Sequence, residues 1–209
     1  NDTHPALAVP ELMRLLLDVE KMSWEEAWRI TTMTISYTNH TIMPEALESW
    51  PIEMFKTLLP RIYMIVQEIN ERFCHELWEK CPGDWNHISR MAVISDGLVH
   101  MARLAVIGSH SVNGVAKLHS DILRNHIMND YAKYYPHKFN NKTNGITHRR
   151  WLLKANPRLA ELITRTIGSH WIKYPTELLR LGQFAGDAAF KGQLAEIKLQ
   201  NKQRLAKYI

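Results

Sequence analysis

Cysteine is nearly absent: the 209 residues include only Cys74 and Cys81. Two cysteines build no disulfide framework, and neither stands at a spacing from histidine that would make a zinc site. Their scarcity suits a reducing, cytoplasmic compartment. Long apolar runs are missing as well. No stretch approaches the roughly 18 apolar residues that a membrane-crossing helix needs, so no membrane partner is expected. The opening, Asn1-Asp2-Thr3-His4-Pro5, has neither an initiator Met nor the apolar core of a targeting peptide. This, and the polar chemistry already present at the first residues, lead to the expectation that the chain begins inside a larger protein. There are no internal repeats and no low-complexity tract. Positive charge is in slight excess, +5, but it is scattered. Only Arg149-Arg150 and residues 198–207 are locally dense, and there basic residues are interspersed with neutral polar and apolar ones. A nucleic-acid binder needs a stripe of cations on one face, so no nucleic acid is expected as a partner.

What is present is a globular composition: 45% hydrophobic and 22% charged residues, enough for one or two domains with a sizeable core. Leu12, Leu15, Leu16 and Val19 recur at the i, i+3, i+4, i+7 spacing of one buried helical stripe. Ser23 followed by Glu25 and Glu26 reads as an N-cap with acids in the first turn of a second helix. Residues 35–38 read as a short buried strand and Pro44 as a helix restart. From Ile52 to Leu77 apolar residues step by three or four without a slip, which predicts one long amphipathic helix with a break near Leu59, ahead of Pro60. Residues 98–109 read as a buried helix of small residues, residues 110–115 as a strand ending in glycine, and residues 116–123 as helix. Strand, glycine turn and helix are the local form of a Rossmann-like unit. Residues 125–139 look irregular. The last helix is expected from Asp187, with Phe190, Leu194, Ile197, Leu205 and Tyr208 as its apolar set.

Residues 139–151, Phe139-Asn140-Asn141-Lys142-Thr143-Asn144-Gly145-Ile146-Thr147-His148-Arg149-Arg150-Trp151, separate this mixed region from an almost purely helical tail. On local chemistry the stretch reads as an interdomain linker, with Thr147 as the N-cap of the helix that follows. The same polar turn feeding a helix start would also suit recognition of sugar hydroxyls or anions.

Several strings occur together and in order: Asn1-Asp2-Thr3-His4-Pro5, Tyr37-Thr38-Asn39-His40-Thr41, Pro44-Glu45-Ala46-Leu47-Glu48, Gly108-Ser109-His110-Ser111-Val112-Asn113-Gly114-Val115-Ala116 with His119-Ser120, and Lys142-Thr143-Asn144-Gly145-Ile146-Thr147 with Arg149-Arg150-Trp151-Leu152. Through them the whole chain resembles the central part of an α-glucan phosphorylase, of the glycogen, starch and maltodextrin phosphorylase family. The resemblance implies an α/β chain within a GT-B glycosyltransferase-like fold of two Rossmann-like domains. This chain would be a mainly α-helical central fragment with a few short strands. Residues 1–143 would close the N-terminal Rossmann-like domain. Residues 144–209 would make the interdomain crossing and the helical start of the C-terminal domain. It also implies transfer of the terminal α-1,4-linked glucose of a glucan to inorganic phosphate, giving glucose 1-phosphate. The cofactor would be pyridoxal phosphate, and the full-length protein a homodimer.

Carried over by position, His40 is the candidate catalytic residue and contacts the glucose. Asp2, His4, Glu48, the Val115 backbone, His119 and Asn144 are candidate substrate contacts, and Trp151 lies beside the cofactor. Taken singly, each has a plainer role. A histidine after a strand is usually structural, Glu48 can belong to a solvated helix face, Trp151 to a core, and His4 can cap the first helix. Where the family usually has proline this chain has His148, and a less rigid helix start is expected there. The resemblance places the cofactor lysine and the phosphate-gripping basic residues downstream of Ile209, so the chain alone is expected to be inactive. The alternative is a non-catalytic helical module that binds glucan or a partner.

Overall fold

The structure, a computed structural model, describes residues 1–209, apart from the side chain of Ala46. It divides into two compact units, Asn1–Asn144 and Gly145–Ile209.

In the first unit α1 (Ala8–Arg14) runs into a π-helical turn, Leu15–Val19. The buried face is Val9 and Met13, with Ala6 ahead of them; Leu15 and Val19, expected inside, are 40% and 58% exposed. The π turn takes more residues per turn than an α-helix, so the side chains that follow rotate off the stripe. The next helix, α2 (Trp24–Thr34), starts as its sequence requires: Ser23 Oγ accepts from the Glu26 N–H at 3.3 Å. After β1 (Ser36–Thr38) the expected helix restart is only a 3₁₀ turn, Pro44–Ala46, and the chain extends into β2 (Ser49–Pro51). The long apolar stripe is real but divided between α3 (Ile52–Leu58) and α4 (Pro60–Lys80). Leu59 breaks it with φ −137°, as the proline ring disfavours helical geometry in the residue before it. Phe55, Ile62, Val66, Ile69, Phe73 and Leu77 are buried along the stripe.

Asp84 caps α5 (Trp85–Met91), its carboxylate accepting from the His87 N–H at 2.9 Å. Then β3 (Ile94–Ser95) and β4 (Leu98–His100) form a hairpin. Its turn is Asp96-Gly97, both with positive φ (52° and 76°), the conformation that suits tight hairpins and that this pair adopts readily. The helix expected over residues 98–109 therefore begins three residues late, as α6 (Met101–Ile107). β5 (Ser111–Gly114) leads into α7 (Lys117–Ile122) and a π turn, Leu123–Ile127. Two further elements correct the sequence reading. α8 (Asn129–Tyr134) lies where irregular chain was expected, and β6 (Phe139–Asn141) lies inside the presumed connector.

Strands β1, β5 and β6 form one parallel sheet in that order; β2, β4 and β3 form a small antiparallel one. Parallel strands need a helical crossover, which α7 and α8 supply between β5 and β6. The register aligns Tyr37, Val112 and Phe139 in one row across the parallel sheet, and all three are buried. The next row toward the carboxyl ends is polar: Thr38, Asn113 and Asn140.

The second unit is helical. A π-helical segment, Arg149–Lys154, precedes α9 (Pro157–Ile167), and two 3₁₀ segments, Ser169–Ile172 and Pro175–Phe184, lead to α10 (Ala188–Ala206). Thr147 supplies no side-chain cap; its backbone carbonyl accepts from the Trp151 N–H, and His148 occupies the cap position. Where proline is expected, His148 instead bonds the Ile172 carbonyl through Nε2 at 3.0 Å, and its ring lies 5.9 Å from Trp171. Ala160, Ile163, Ile167 and Trp171 form the core. Asp187 caps α10 as expected, but of that helix's apolar set only Ile197 is buried, with Leu205 60% and Tyr208 84% exposed.

Three phenols sit inside the first unit. Burial raises Tyr37 to about 12, with Asp2 adding to it against the Asn39 hydrogen bond, and burial also raises Tyr131 and Tyr135. Because these pKa values lie above the unfolded value near ~10, the stability they contribute is complete below pH ~10. It is lost as pH climbs toward 12 and beyond; Tyr37 alone accounts for about 2–3 kcal/mol. Residues 1–144 are thus expected to unfold cooperatively above pH ~10, phenolate absorbance rising together with loss of helical circular dichroism. Gradual phenol titration near pH ~10 with the fold intact would contradict this.

Candidate functional site

The three parallel strands deliver their carboxyl ends side by side, and a polar segment follows each. After β1 come Asn39, His40 and Thr41; after β5, Val115 and the start of α7 with His119; after β6, residues 142–144. Ligands of open α/β sheets lie beyond such strand ends. The amino-terminal turn joins this edge: the Asp2 N–H donates to the Thr38 carbonyl at 2.8 Å. Asp2 itself has φ 55°, a left-handed conformation that aspartate tolerates better than most residues.

Each predicted residue can be located. His40 is exposed, and its Nε2 meets Asn1 Oδ1 at 3.2 Å, leaving Nδ1 without a protein partner among the described residues. With the Nε2 proton donated to Asn1, Nδ1 is an acceptor facing solvent. Asn144 is held through its backbone, whose N–H approaches the Val115 carbonyl at 3.4 Å; its side chain is exposed and makes no hydrogen bond among the described residues. His119 lies within the fold's own network. Its Nδ1 accepts from the Val115 N–H at 3.0 Å and its Nε2 donates to Asn39 Oδ1 at 3.0 Å. That pairing fixes the neutral tautomer with the proton on Nε2.

His4 and Glu48 meet on the other side of the amino-terminal turn. Glu48 Oε2 accepts from the Thr3 hydroxyl at 2.5 Å and lies 3.3 Å from His4 Nδ1. They border a mostly apolar cavity of about 220 Å³ with Trp50 and Phe55. Trp151 belongs to the second unit, in the π-helical segment, where its indole is 65% exposed. Among the described residues, no group of three or more His, Cys, Asp or Glu could hold a metal ion. A larger cavity, about 750 Å³, lies at the opposite end of the strands, beside His110 and Lys138, which precede β5 and β6. Its principal cations are already engaged: Arg72 by Glu68 and Glu25, and Lys138 by the Val106 and Ile107 carbonyls.

Gly114 is what allows α7 to start against the strand. A Cβ there would lie 2.6 Å from Ser120 Oγ and 3.0 Å from both His119 Nδ1 and Ser120 Cα. Gly114→Ala is expected to destabilise the first unit by about 1–3 kcal/mol, read from the denaturant midpoint. An unchanged midpoint would mean that the helix start yields freely.

The sequence reading missed Asn39 and Thr3. Both lie in strings already singled out, but their importance comes from burial, 0% and 1% exposed, which a polar residue beside a strand or turn does not announce.

The arrangement defines an α/β protein with neutral and acidic hydrogen-bonding groups gathered beyond the ends of a parallel sheet. A family model described as Carbohydrate phosphorylase matches residues 1–209, and the chain belongs to that family. It is similar to the glycogen phosphorylase of Bacillus subtilis (strain 168), with 63% identity over 209 residues. It is also similar to the muscle-form glycogen phosphorylases of Homo sapiens, 49% identical over 212 residues, and Oryctolagus cuniculus, 48% over 212. Each comparison covers 100% of this chain but only 25–26% of the relative, so the chain spans about a quarter of the length of these proteins.

Proposed function

We propose that this chain is part of a glycogen or maltodextrin phosphorylase, which transfers the terminal α-1,4-linked glucose of a glucan to inorganic phosphate and gives glucose 1-phosphate. The observation that carries this is the common edge where β1, β5 and β6 end, with His40, Val115 and Asn144 emerging together from a chain matched end to end by the family. In this reading residues 1–143 close one Rossmann-like domain of a GT-B enzyme and residues 144–209 cross into the next. The complete protein is a cytoplasmic homodimer.

The terminal glucose is read by groups whose hydrogen-bonding capacity is unspent. His40 Nδ1 accepts from a hydroxyl, while Asn1 holds the ring. The Asn144 amide donates and accepts, and the Val115 carbonyl has a second lone pair beyond the one offered to Asn144. Asp2, His4 and Glu48 line the adjoining wall. Glucosyl transfer passes through an oxocarbenium-like state, and neutral hydrogen bonds that tighten there hold the ring in reactive geometry. The exposed flat face of Trp151 fits packing against an aromatic cofactor ring. Pyridoxal phosphate, when bound, would supply through its phosphate a group that gives and takes a proton.

The test is an assay of the purified full-length protein for phosphate-dependent release of glucose 1-phosphate from maltodextrin. Release that needs phosphate supports the reading; hydrolysis without phosphate dependence, or no turnover, overturns it. The 209-residue chain alone is expected to release none. Titration with maltooligosaccharides separates an inactive part of an enzyme from a module that only binds glucan.

A further inference from the structure

We propose that Asn39 and His119 form a clasp that positions His40, Val115 and Asn144 at the strand ends, and that His119 acts through this clasp and not on the sugar; the proposal rests on the function proposed above. The side chain of Asn39 is 0% exposed and spends three of its hydrogen-bonding positions. Its Nδ2 donates to the Tyr37 hydroxyl at 3.0 Å, and the amide orientation is fixed on the other side, where the Thr41 backbone N–H can only donate. Its Oδ1 accepts from the Thr41 N–H at 3.1 Å and from His119 Nε2 at 3.0 Å. The bond to Thr41 closes a turn whose central residue is His40, so the backbone of His40 is set from both sides by Asn39. Its own N–H, donated to the Asn113 carbonyl at 2.9 Å, continues the ladder between β1 and β5.

His119 carries the connection onward. Its Nδ1 accepts from the Val115 N–H at 3.0 Å and so orients the Val115 peptide, whose carbonyl in turn takes the Asn144 N–H. One continuous set of hydrogen bonds thus runs from the Thr41 N–H, next to His40, through Asn39, His119 and Val115 to the Asn144 N–H. Both nitrogens of the His119 ring are used in it, which leaves no ring atom for a ligand. Gly114 keeps the space that lets the ring approach.

Two substitutions separate the halves of the clasp. His119→Gln keeps a donor where Nε2 points and so keeps the bridge to Asn39. His119→Asn keeps an acceptor where Nδ1 points and so keeps Val115 but breaks the bridge. In the full-length protein, H119N is expected to lower kcat by on the order of 10–100-fold, the scale of a small misplacement of binding groups. H119Q, which keeps the bridge but gives up the bond to the Val115 N–H, is expected to lower kcat by a smaller factor, and the two variants melt at similar temperatures. Tyr37→Phe, isosteric and buried, is a second probe: it frees the Asn39 amide and is expected to lower kcat in the same direction. Wild-type kcat in both H119N and H119Q, or in both H119N and Y37F, overturns the clasp. If the wild-type protein itself shows no phosphorolysis, the proposed function fails, and the clasp is then decided by ¹⁵N NMR of the full-length protein labelled at histidine. An Nε2–H tautomer of His119 supports it, and an Nδ1–H or doubly protonated ring at neutral pH overturns it.

Discussion

Alanine at position 144 of the full-length protein is expected to reduce kcat/KM for phosphorolysis by about 10²–10³-fold while leaving stability within ~0.5 kcal/mol of wild type. The two halves of this expectation come from different features of the same residue. The Asn144 side chain is exposed and makes no hydrogen bond among the described residues, so removing it costs the fold nothing that the structure shows. Its position, however, is fixed by the backbone bond to Val115. A fixed amide with unused donors and an acceptor is organised for a ligand, and the loss of such a group is felt most where hydrogen bonds tighten, in the transition state. Kcat should therefore fall further than KM rises. His40→Ala is expected to match it in kcat/KM, because Nδ1 is the only ring position that Asn1 leaves open. Asn1→Ala should be milder, since it removes the partner that orients the ring and not the acceptor itself. Steady-state kinetics with glucan and phosphate, alongside thermal melts, check all three. Parallel losses of activity and melting temperature would instead make His40 and Asn144 ordinary structural residues.

How far such groups could be found from the sequence depended on what kind of interaction fixes them. Local signals read true. Ser23 with Glu25 and Glu26, Asp187 before Ala188, and Pro60 within the apolar stripe each act within one turn of backbone, and each produced the expected cap or break. One local signal was available and overlooked: Asp96-Gly97 between two short apolar runs is a hairpin turn, and it converts Leu98–His100 from helix to strand. β6 was not available in this way. Phe139-Asn140-Asn141 has the composition of a turn, and it becomes a strand only because β5 offers a ladder in the right register; pairing across distant sequence overrides propensity. The same limit applies at the site. His40 and Asn144 stand in recognisable strings, but the bond from His119 to Asn39 joins residues 80 apart, and only the parallel order of β1 and β5 makes them neighbours. On the first helix the failure was geometric: a single π turn rotated Leu15 and Val19 out of a stripe that periodicity placed inside.

Trp171→Ala is expected to unfold residues 145–209 while residues 1–144 stay folded. The core of this unit is small. Trp171 is 0% exposed and packs with Ala160, Ile163 and Ile167, with leucines such as Leu152, Leu159 and Leu181 closing around them. Truncating a buried tryptophan to alanine costs about 3–5 kcal/mol in lost burial and cavity formation. A unit of this length has in all only a few to ~10 kcal/mol of stability, so the loss is comparable to the whole. Two polar contacts go with it: the indole Nε1 donates to Thr164 Oγ1 at 3.1 Å, and the ring supports His148, whose Nε2 bonds the Ile172 carbonyl. Trp171→Phe keeps most of the apolar volume and loses only the Thr164 bond, so it should retain a folded unit with a lower midpoint. His148→Ala should cost about 1 kcal/mol, the worth of one net hydrogen bond. Hydrogen exchange resolved along the chain tests the set, with loss of protection in W171A confined to α9, α10 and the turns between them. Protection that survives there would mean that the interlocked leucines, and not the tryptophan, hold the unit. Protection lost equally from α4 and β5 would mean that the two units unfold as one.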